Sequence, residues 1–268
     1  MNKSMEVLMI KMIRFQIKQD KIPLMIFFTG AFISFFIWIL LTTQQIIPTQ
    51  FLFLYPILLI FLVFYYMFYS LKIFYEILFT PKGLLFFQSP RKPSHILLQK
   101  FIYMTIISIA LLFFCYMAYQ IFVLFHPYIY QYDIPVKIIG QYYPGYQINS
   151  IIMMLTCLIL GLLFLSIAYF SMIVMKCAEK EKNFGKILWF PLFLILSLFF
   201  NQITNHLVEY GCYDLNKREW TSGSLVFDLL INPEHTILVP AAFWLCNICS
   251  IIIISFISGH IMNKYLDV

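Results

Sequence analysis

The stretch Ile151-Ile-Met-Met-Leu-Thr-Cys-Leu-Ile-Leu-Gly-Leu-Leu-Phe-Leu-Ser-Ile-Ala-Tyr-Phe-Ser-Met-Ile-Val174 contains no charged side chain. Apolar residues do not alternate with polar ones along it, so the pattern predicts a helix rather than a half-buried strand. About 20 apolar residues in helical form cross the hydrocarbon core of a bilayer, because a helix satisfies its backbone hydrogen bonds internally. The stretch therefore predicts a membrane-spanning helix.

The rest of the chain has the same character. Of its 268 residues, 62% are apolar and 11% are charged, which is more apolar surface than a water-soluble domain of this length can bury. Continuous apolar runs also exclude the alternating strands of a membrane barrel. We predict an all-α, polytopic membrane protein whose residues 1–268 form a single six-helix transmembrane domain. The predicted spans are 22–43, 51–72, 101–124, 151–174, 187–206 and 237–262.

The basic residues between the spans predict the orientation. With the N-terminus inside, the inside segments hold 15 of the 18 Lys and Arg, and the outside segments keep Lys137, Lys217 and Arg218. The 12 acidic residues divide evenly between the two sides, as expected when cations rather than net charge set the orientation. Both termini are predicted to be cytoplasmic. The Ile, Phe and Lys richness suggests an AT-rich genome, so we predict a multi-pass protein of a bacterial cytoplasmic membrane.

Residues 1–21 are predicted to form an interfacial amphipathic helix. At about 100° per residue, four cations fall on one face and apolar side chains cover another. The cations are Lys11, Arg14, Lys18 and Lys21, and the apolar residues are Met5, Leu8, Met9 and Met12. A simple basic flank that sets topology explains the same residues equally well.

The cytoplasmic connection between the second and third spans, residues 76–100, is the most distinctive segment. Apolar helical sequence runs over 51–79, roughly 43 Å at 1.5 Å per residue, so the second helix is predicted to project beyond the bilayer. Pro81 is expected to stop this helix, and residues 90–93 to form a rigid basic turn. Ser94 is well placed to cap the next helix.

This connection resembles the leader that precedes the third span in permease subunits of type-2 ABC exporters, the ABC-2 family. That leader has the order apolar, small, Pro, basic, apolar, Lys, and here it reads Leu84-Leu-Phe-Phe-Gln-Ser-Pro-Arg-Lys-Pro-Ser-His-Ile-Leu-Leu-Gln-Lys100. The resemblance implies a short coupling helix that docks on a separate ATPase subunit. The residues assigned to ATPase coupling are Glu76, Lys82, Gly83, Ser89, Pro90, Arg91, Lys92 and Lys100. Pro93 departs from the usual leader as an additional proline.

The resemblance also implies the partners. They are a cytoplasmic ABC ATPase subunit that binds ATP and Mg²⁺, a second permease subunit in a homo- or heterodimer, the lipid bilayer and an amphipathic or hydrophobic substrate. Export of an antimicrobial peptide, or bacteriocin self-immunity, is the expected subclass. The chain lacks a phosphate-binding loop, so it is not expected to be an enzyme or to hold a cofactor. No nucleic-acid partner is expected.

The alternative to a permease is a non-transporting membrane scaffold or assembly factor. Such a protein would use the same basic loops to bind anionic lipid or a membrane partner. The two hypotheses differ in one requirement, because only the permease needs an ATPase at the 76–100 connection.

Polar residues inside the predicted spans are few. Four amides, Asn201, Gln202, Asn205 and Asn247, either bond one helix to another or line a translocation path. No catalytic residue or metal site is predicted, since the motifs of intramembrane metalloproteases and serine hydrolases are missing. Three further residues at the outer ends of the spans either sit in the headgroup region or hold a metal. They are His206, Glu209 and His235.

The segment 207–236 is predicted to be extracellular and acidic. Five acidic side chains against two cations give it a net charge of 2 − 5 = −3. The acidity either favours a cationic peptide near an exit or reflects the exclusion of Lys and Arg from that face. By the resemblance, residues 225–231 are expected to form a short re-entrant helix before the sixth span.

Overall fold

Helices make up most of the computed structural model, which describes residues 14, 17–18, 20–43, 54–80, 93–129, 145–178, 185–215, 217–221 and 238–265. Within these residues the chain is mostly α-helical, and a long helix overlaps each predicted span. The helices are α1 (Lys21–Thr43), α2 (Leu54–Phe79), α3 (Pro93–Ile129), α4 (Gly145–Ala178), α5 (Gly185–Tyr210) and α6 (Ala241–Tyr265).

Three segments in the described part of the chain are long and apolar enough to cross a membrane. They are Leu155–Ala178 in α4, Gly185–Thr204 in α5 and Ala241–Tyr265, which is α6. These segments coincide with the predicted fourth, fifth and sixth spans and indicate a membrane protein. A total of six spans and cytoplasmic termini stay predictions.

Prolines explain where α2 ends and where α3 begins. Helix α2 stops at Phe79, as expected from Pro81, because a proline disfavours helical geometry in the residue before it. The amide N and the Oγ1 of Thr80 donate to the Glu76 carbonyl at 3.1 and 2.6 Å, which satisfies this helix end. Helix α3 starts at Pro93 rather than after a cap at Ser94. Proline suits the first helical position because its fixed φ is helical and it has no N–H to satisfy.

The described contacts divide the chain into two compact units. Unit 1 comprises Met1–Tyr69 and Gln99–Lys137, and unit 2 comprises Ser70–Leu98 and Ile138–Val268. Helices α2 and α3 each contribute residues to both units.

Helix α4 is the central helix of unit 2, where it packs against both α5 and α6. Ser166, Ala168 and Ser171 of α4 are buried, and small residues of this kind let helices approach closely in lipid. Larger side chains add specific contacts. The rings of Phe164 and Phe193 meet edge to face at 4.8 Å, and the indole N–H of Trp244 donates to Thr156 Oγ1 at 2.9 Å.

A small antiparallel sheet lies between α5 and α6 and departs from the all-α prediction. Its strands are β1 (Cys212–Asp214), β2 (Glu219–Thr221) and β3 (Leu238–Val239), in the order β2-β1-β3. The turn from β1 to β2 brings the Arg218 amide N to the Asp214 carbonyl at 2.8 Å, with a φ of 58° at Arg218. This left-handed conformation is uncommon for a residue with a side chain.

The sheet also fixes the junction of α5 with α6. The amide N of Ala242 donates to the carbonyl of Gly211 at 3.2 Å, and β1 pairs with β3. Helix α6 therefore begins at Ala241, four residues later than the predicted sixth span, because residues 238–239 belong to a strand. The predicted re-entrant helix at 225–231 lies outside the described residues.

Candidate functional site

The predicted coupling segment is described at its two ends. Of the residues assigned to it, Glu76 and Lys100 are described, and Glu76 is half-buried near the end of α2. The others, Lys82, Gly83, Ser89, Pro90, Arg91 and Lys92, lie outside the described residues. The described residues on either side of 81–92, up to Thr80 and from Pro93, belong to unit 2.

The first end of the segment is held by α4. The Nζ of Lys176, in the last turn of α4, lies 5.5 Å from the ring centroid of Phe79, a cation–π contact. Further back on α2, the ring centroids of Phe74 and Tyr169 are 4.1 Å apart. The Tyr169 hydroxyl also shares a hydrogen bond of 2.6 Å with Ser70 Oγ. Two successive parts of α2 therefore rest on α4 before residue 81.

The second end of the segment is held by α6. The amide N of Ser94, in the first turn of α3, donates to the Oδ1 of Asn263 at 3.0 Å. One turn earlier on α6, a Cβ added at Gly259 would lie 3.3 Å from the Ser94 Cβ, so glycine permits the close approach of the two helices. Pro93 is fully buried at this junction. The first turn of α3 is thus fixed to α6 by packing and by a side-chain hydrogen bond.

These contacts fix the described residues on either side of 81–92 at two points of unit 2. One point lies on α4 and the other on α6. Packed helices move as rigid bodies rather than deforming continuously, so a displacement of the segment would be passed to both helices.

A buried polar cluster in unit 1 was not predicted from the sequence. Asp20 directly precedes α1 and has only 4% of its surface exposed. Its carboxylate accepts two hydrogen bonds, from the Tyr69 hydroxyl to Oδ1 at 3.2 Å and from the Tyr103 hydroxyl to Oδ2 at 2.9 Å. A buried carboxylate requires such partners, because an unpaired one would carry a large desolvation cost. Asp20 therefore ties the start of α1 to both α2 and α3.

Lys100 belongs to the same unit and is also buried, with 8% of its surface exposed. It directly precedes the predicted third span. Burial lowers the pKa of its ammonium group to about 8, and the negative charge of Asp20 opposes that shift. The coupling role that the resemblance assigns to Lys100 stays a prediction; in the structure its side chain is buried in unit 1.

The four predicted amides occupy different environments. Asn201 and Gln202 are exposed on α5, and the side chain of Asn205 lies outside the described part of the structure. Asn247 is fully buried on α6, where its Nδ2 donates to the Phe243 carbonyl of the same helix at 3.0 Å. Its Oδ1 has no hydrogen-bond partner among the described residues. Of the three amide side chains that are described, two are therefore exposed and one is buried.

The residues considered for metal binding are described only in part. His206 is exposed. The side chain of Glu209 and the whole of His235 lie outside the described residues. Within the described ranges, no group of three or more His, Cys, Asp and Glu side chains is arranged to hold a metal ion.

The chain matches no protein-family model, and no curated protein or solved structure is significantly similar to it. The functional argument therefore depends on the residues and contacts described above.

Proposed function

We propose that this chain is the membrane-spanning permease subunit of an ATP-driven exporter of the type-2 ABC class. It would act with a separate cytoplasmic ATPase subunit and a second permease subunit, and would move an amphipathic or hydrophobic substrate. A peptide antibiotic or bacteriocin, handled in export or self-immunity, is the substrate class that we favour. The observation that carries the proposal is the anchoring of both ends of residues 81–92, one on α4 and the other on α6.

The anchoring supports a simple mechanism of coupling. A motor that pushes on residues 81–92 would act through the Phe79–Lys176 contact on α4 and through the Ser94–Asn263 hydrogen bond on α6. Helix α5 packs on α4, so it would move together with α4. All three helices contain segments suited to crossing a membrane, and their rigid-body movement would alter a path through the bilayer.

The exposed amides of α5 support the expectation of a second subunit or a polar path. Asn201 and Gln202 lie in the part of α5 that is apolar enough to cross a membrane, and both are exposed in this single chain. A polar side chain that faces lipid is costly, so such residues usually face protein or a water-filled cavity. We assign this face of α5 to the translocation path or to the partner permease.

Charge reversal in the coupling segment tests the proposal. The variant carries Arg91→Glu and Lys92→Glu, and the tagged chain is purified gently from its native membrane before its partners are identified by mass spectrometry. The unaltered chain should recover a soluble subunit with a phosphate-binding loop. The variant should recover at least tenfold less of it, since reversing charges at a docking surface weakens association by about 1.4 kcal/mol or more.

A matched control is the pair Lys217→Glu and Arg218→Glu, two adjacent exposed cations that are predicted to lie on the outside. This control should retain the ATPase subunit. Recovery of the unaltered chain without any ATPase, under conditions that preserve a known ABC complex, would contradict the proposal and favour the scaffold.

A further inference from the structure

Among the described residues of 14–21, the cations are exposed and the acidic residue is buried. Arg14, Lys18 and Lys21 are exposed, whereas Asp20 is buried. Arg14 and Lys18 are helical, and Lys21 is the first residue of α1. Arg14 and Lys18 are four residues apart, the spacing of neighbouring positions on a helix surface, and Lys21 follows directly after the turn residue Asp20.

The position of Asp20 determines the charge of this surface. Asp20 is the only acidic residue in 14–21, and its two carboxylate oxygens accept hydrogen bonds from Tyr69 and Tyr103. Its charge is therefore directed away from the exposed side. The outward surface of Arg14, Lys18 and Lys21, hereafter the basic stripe, carries cations only among its described residues.

Apolar side chains are exposed directly beside the basic stripe. Ile17 is 42% exposed, and at the start of α1 Ile22, Met25 and Ile26 are 70%, 57% and 68% exposed. Ile17 lies between Arg14 and Lys18 in sequence, and the other three follow Lys21, where the first span is predicted to begin. A phospholipid has the same arrangement, because its charged headgroup is followed by apolar acyl chains.

We propose that the basic stripe is a docking site for anionic phospholipid headgroups. The phosphate would lie against Arg14, Lys18 and Lys21, while the acyl chains would lie along the exposed apolar side chains at the start of α1. Through Asp20, the bound lipid would hold α1 in register with α2 and α3 in unit 1. This inference requires a membrane protein but does not depend on an ATPase or on transport.

Lipid titration by native mass spectrometry tests this site on the full chain in neutral detergent. The probes are phosphatidylglycerol and phosphatidylcholine with identical acyl chains. The unaltered chain should bind phosphatidylglycerol more tightly, and higher salt should reduce the difference. The variant Arg14→Gln, Lys18→Gln, Lys21→Gln should lose affinity for phosphatidylglycerol by about fivefold for each cation removed, with phosphatidylcholine binding unchanged.

The matched control removes the three cations that are predicted to lie outside, Lys137, Lys217 and Arg218, by substitution with Gln. It should keep the preference for phosphatidylglycerol. If both triple variants lose that preference equally, or if the unaltered chain has none, the inference is wrong. The single variant Lys18→Gln gives the same test if the triple variant does not purify in a folded form.

A competition experiment distinguishes lipid from a soluble anion. Glycerol phosphate has the charge of the headgroup but no acyl chain, so it should not displace bound phosphatidylglycerol. Complete displacement by glycerol phosphate would show that the basic stripe is a site for small anions, and would overturn the assignment to lipid.

Discussion

Asp20 in unit 1 and Asn247 in unit 2 are both buried polar residues in a very apolar chain, yet their surroundings differ. Both oxygens of Asp20 accept hydrogen bonds from tyrosines on other helices. Asn247 donates within its own helix, and its Oδ1 has no partner among the described residues. In unit 1 the hydrogen bonds offset the cost of burying a polar group, whereas in unit 2 part of that cost remains. Burial alone therefore does not identify a residue that connects helices.

Removal of the Asp20 carboxylate should have the largest effect on stability. Asp20→Ala leaves the hydroxyls of Tyr69 and Tyr103 without this acceptor and removes the charge that opposes the desolvation of Lys100. We expect a loss of about 3 kcal/mol in the free energy of unfolding, measured by denaturation in mild detergent. Tyr103→Phe removes one donor and should cost less. A cost below about 0.5 kcal/mol for Asp20→Ala would contradict the role of Asp20 as a tie between helices.

The buried ammonium group of Lys100 should make the stability of the chain depend on pH. Its pKa is 10.5 in an ordinary setting and about 8 in the folded chain, so between these values the unfolded chain binds more protons. Stability should therefore rise with pH through this window, and the full cost of the buried charge applies below it. Lys100→Met should be more stable than the unaltered chain by up to about 3 kcal/mol at neutral pH, since a difference of one in pKa corresponds to about 1.4 kcal/mol.

Thermal unfolding followed across this pH range measures the effect. The advantage of Lys100→Met should shrink as pH rises through the window. Lys72→Met, at an exposed position on α2, serves as the control and should show no such trend. A constant difference between Lys100→Met and the unaltered chain at every pH would contradict the explanation.

Replacement of Asn247 should have the smallest effect. Asn247→Leu removes an acceptor without a described partner and keeps a similar volume, so the free energy of unfolding should change by less than about 1 kcal/mol, in the stabilising direction. The measurement is the same denaturation experiment as for Asp20→Ala. A loss of more than about 2 kcal/mol would show that Asn247 resembles Asp20 in holding the fold together.

The helices could be predicted because apolar runs and prolines act on the chain within a few residues of their own positions. The end of α2 at Phe79 follows from Pro81 in this way. Asp20 could not be recognised, since Tyr69 and Tyr103 lie 49 and 83 residues away in sequence. From the sequence, the cations around Asp20 indicated only a basic segment before the first span. The burial of Lys100 was missed for the same reason.

The small sheet was missed for a different reason. Strands of two or three residues are too short to show an alternating pattern, so periodicity contains no signal for them. For the candidate coupling site, the sequence predicted the position of the segment between two helices. It could not predict that Asn263 and Lys176, on α6 and α4, hold the two ends, because those contacts depend on tertiary packing.

The hydrogen bond from Ala242 to Gly211 makes the chain between α5 and α6 a loop whose two ends are joined. Closing a flexible loop costs entropy that grows slowly with length, by about 0.6 kcal/mol for each doubling. Additional residues between Thr221 and Leu238 would therefore leave the junction of the two helices almost unchanged. An epitope inserted there is expected to leave the hydrogen bond between Ala242 and Gly211 in place.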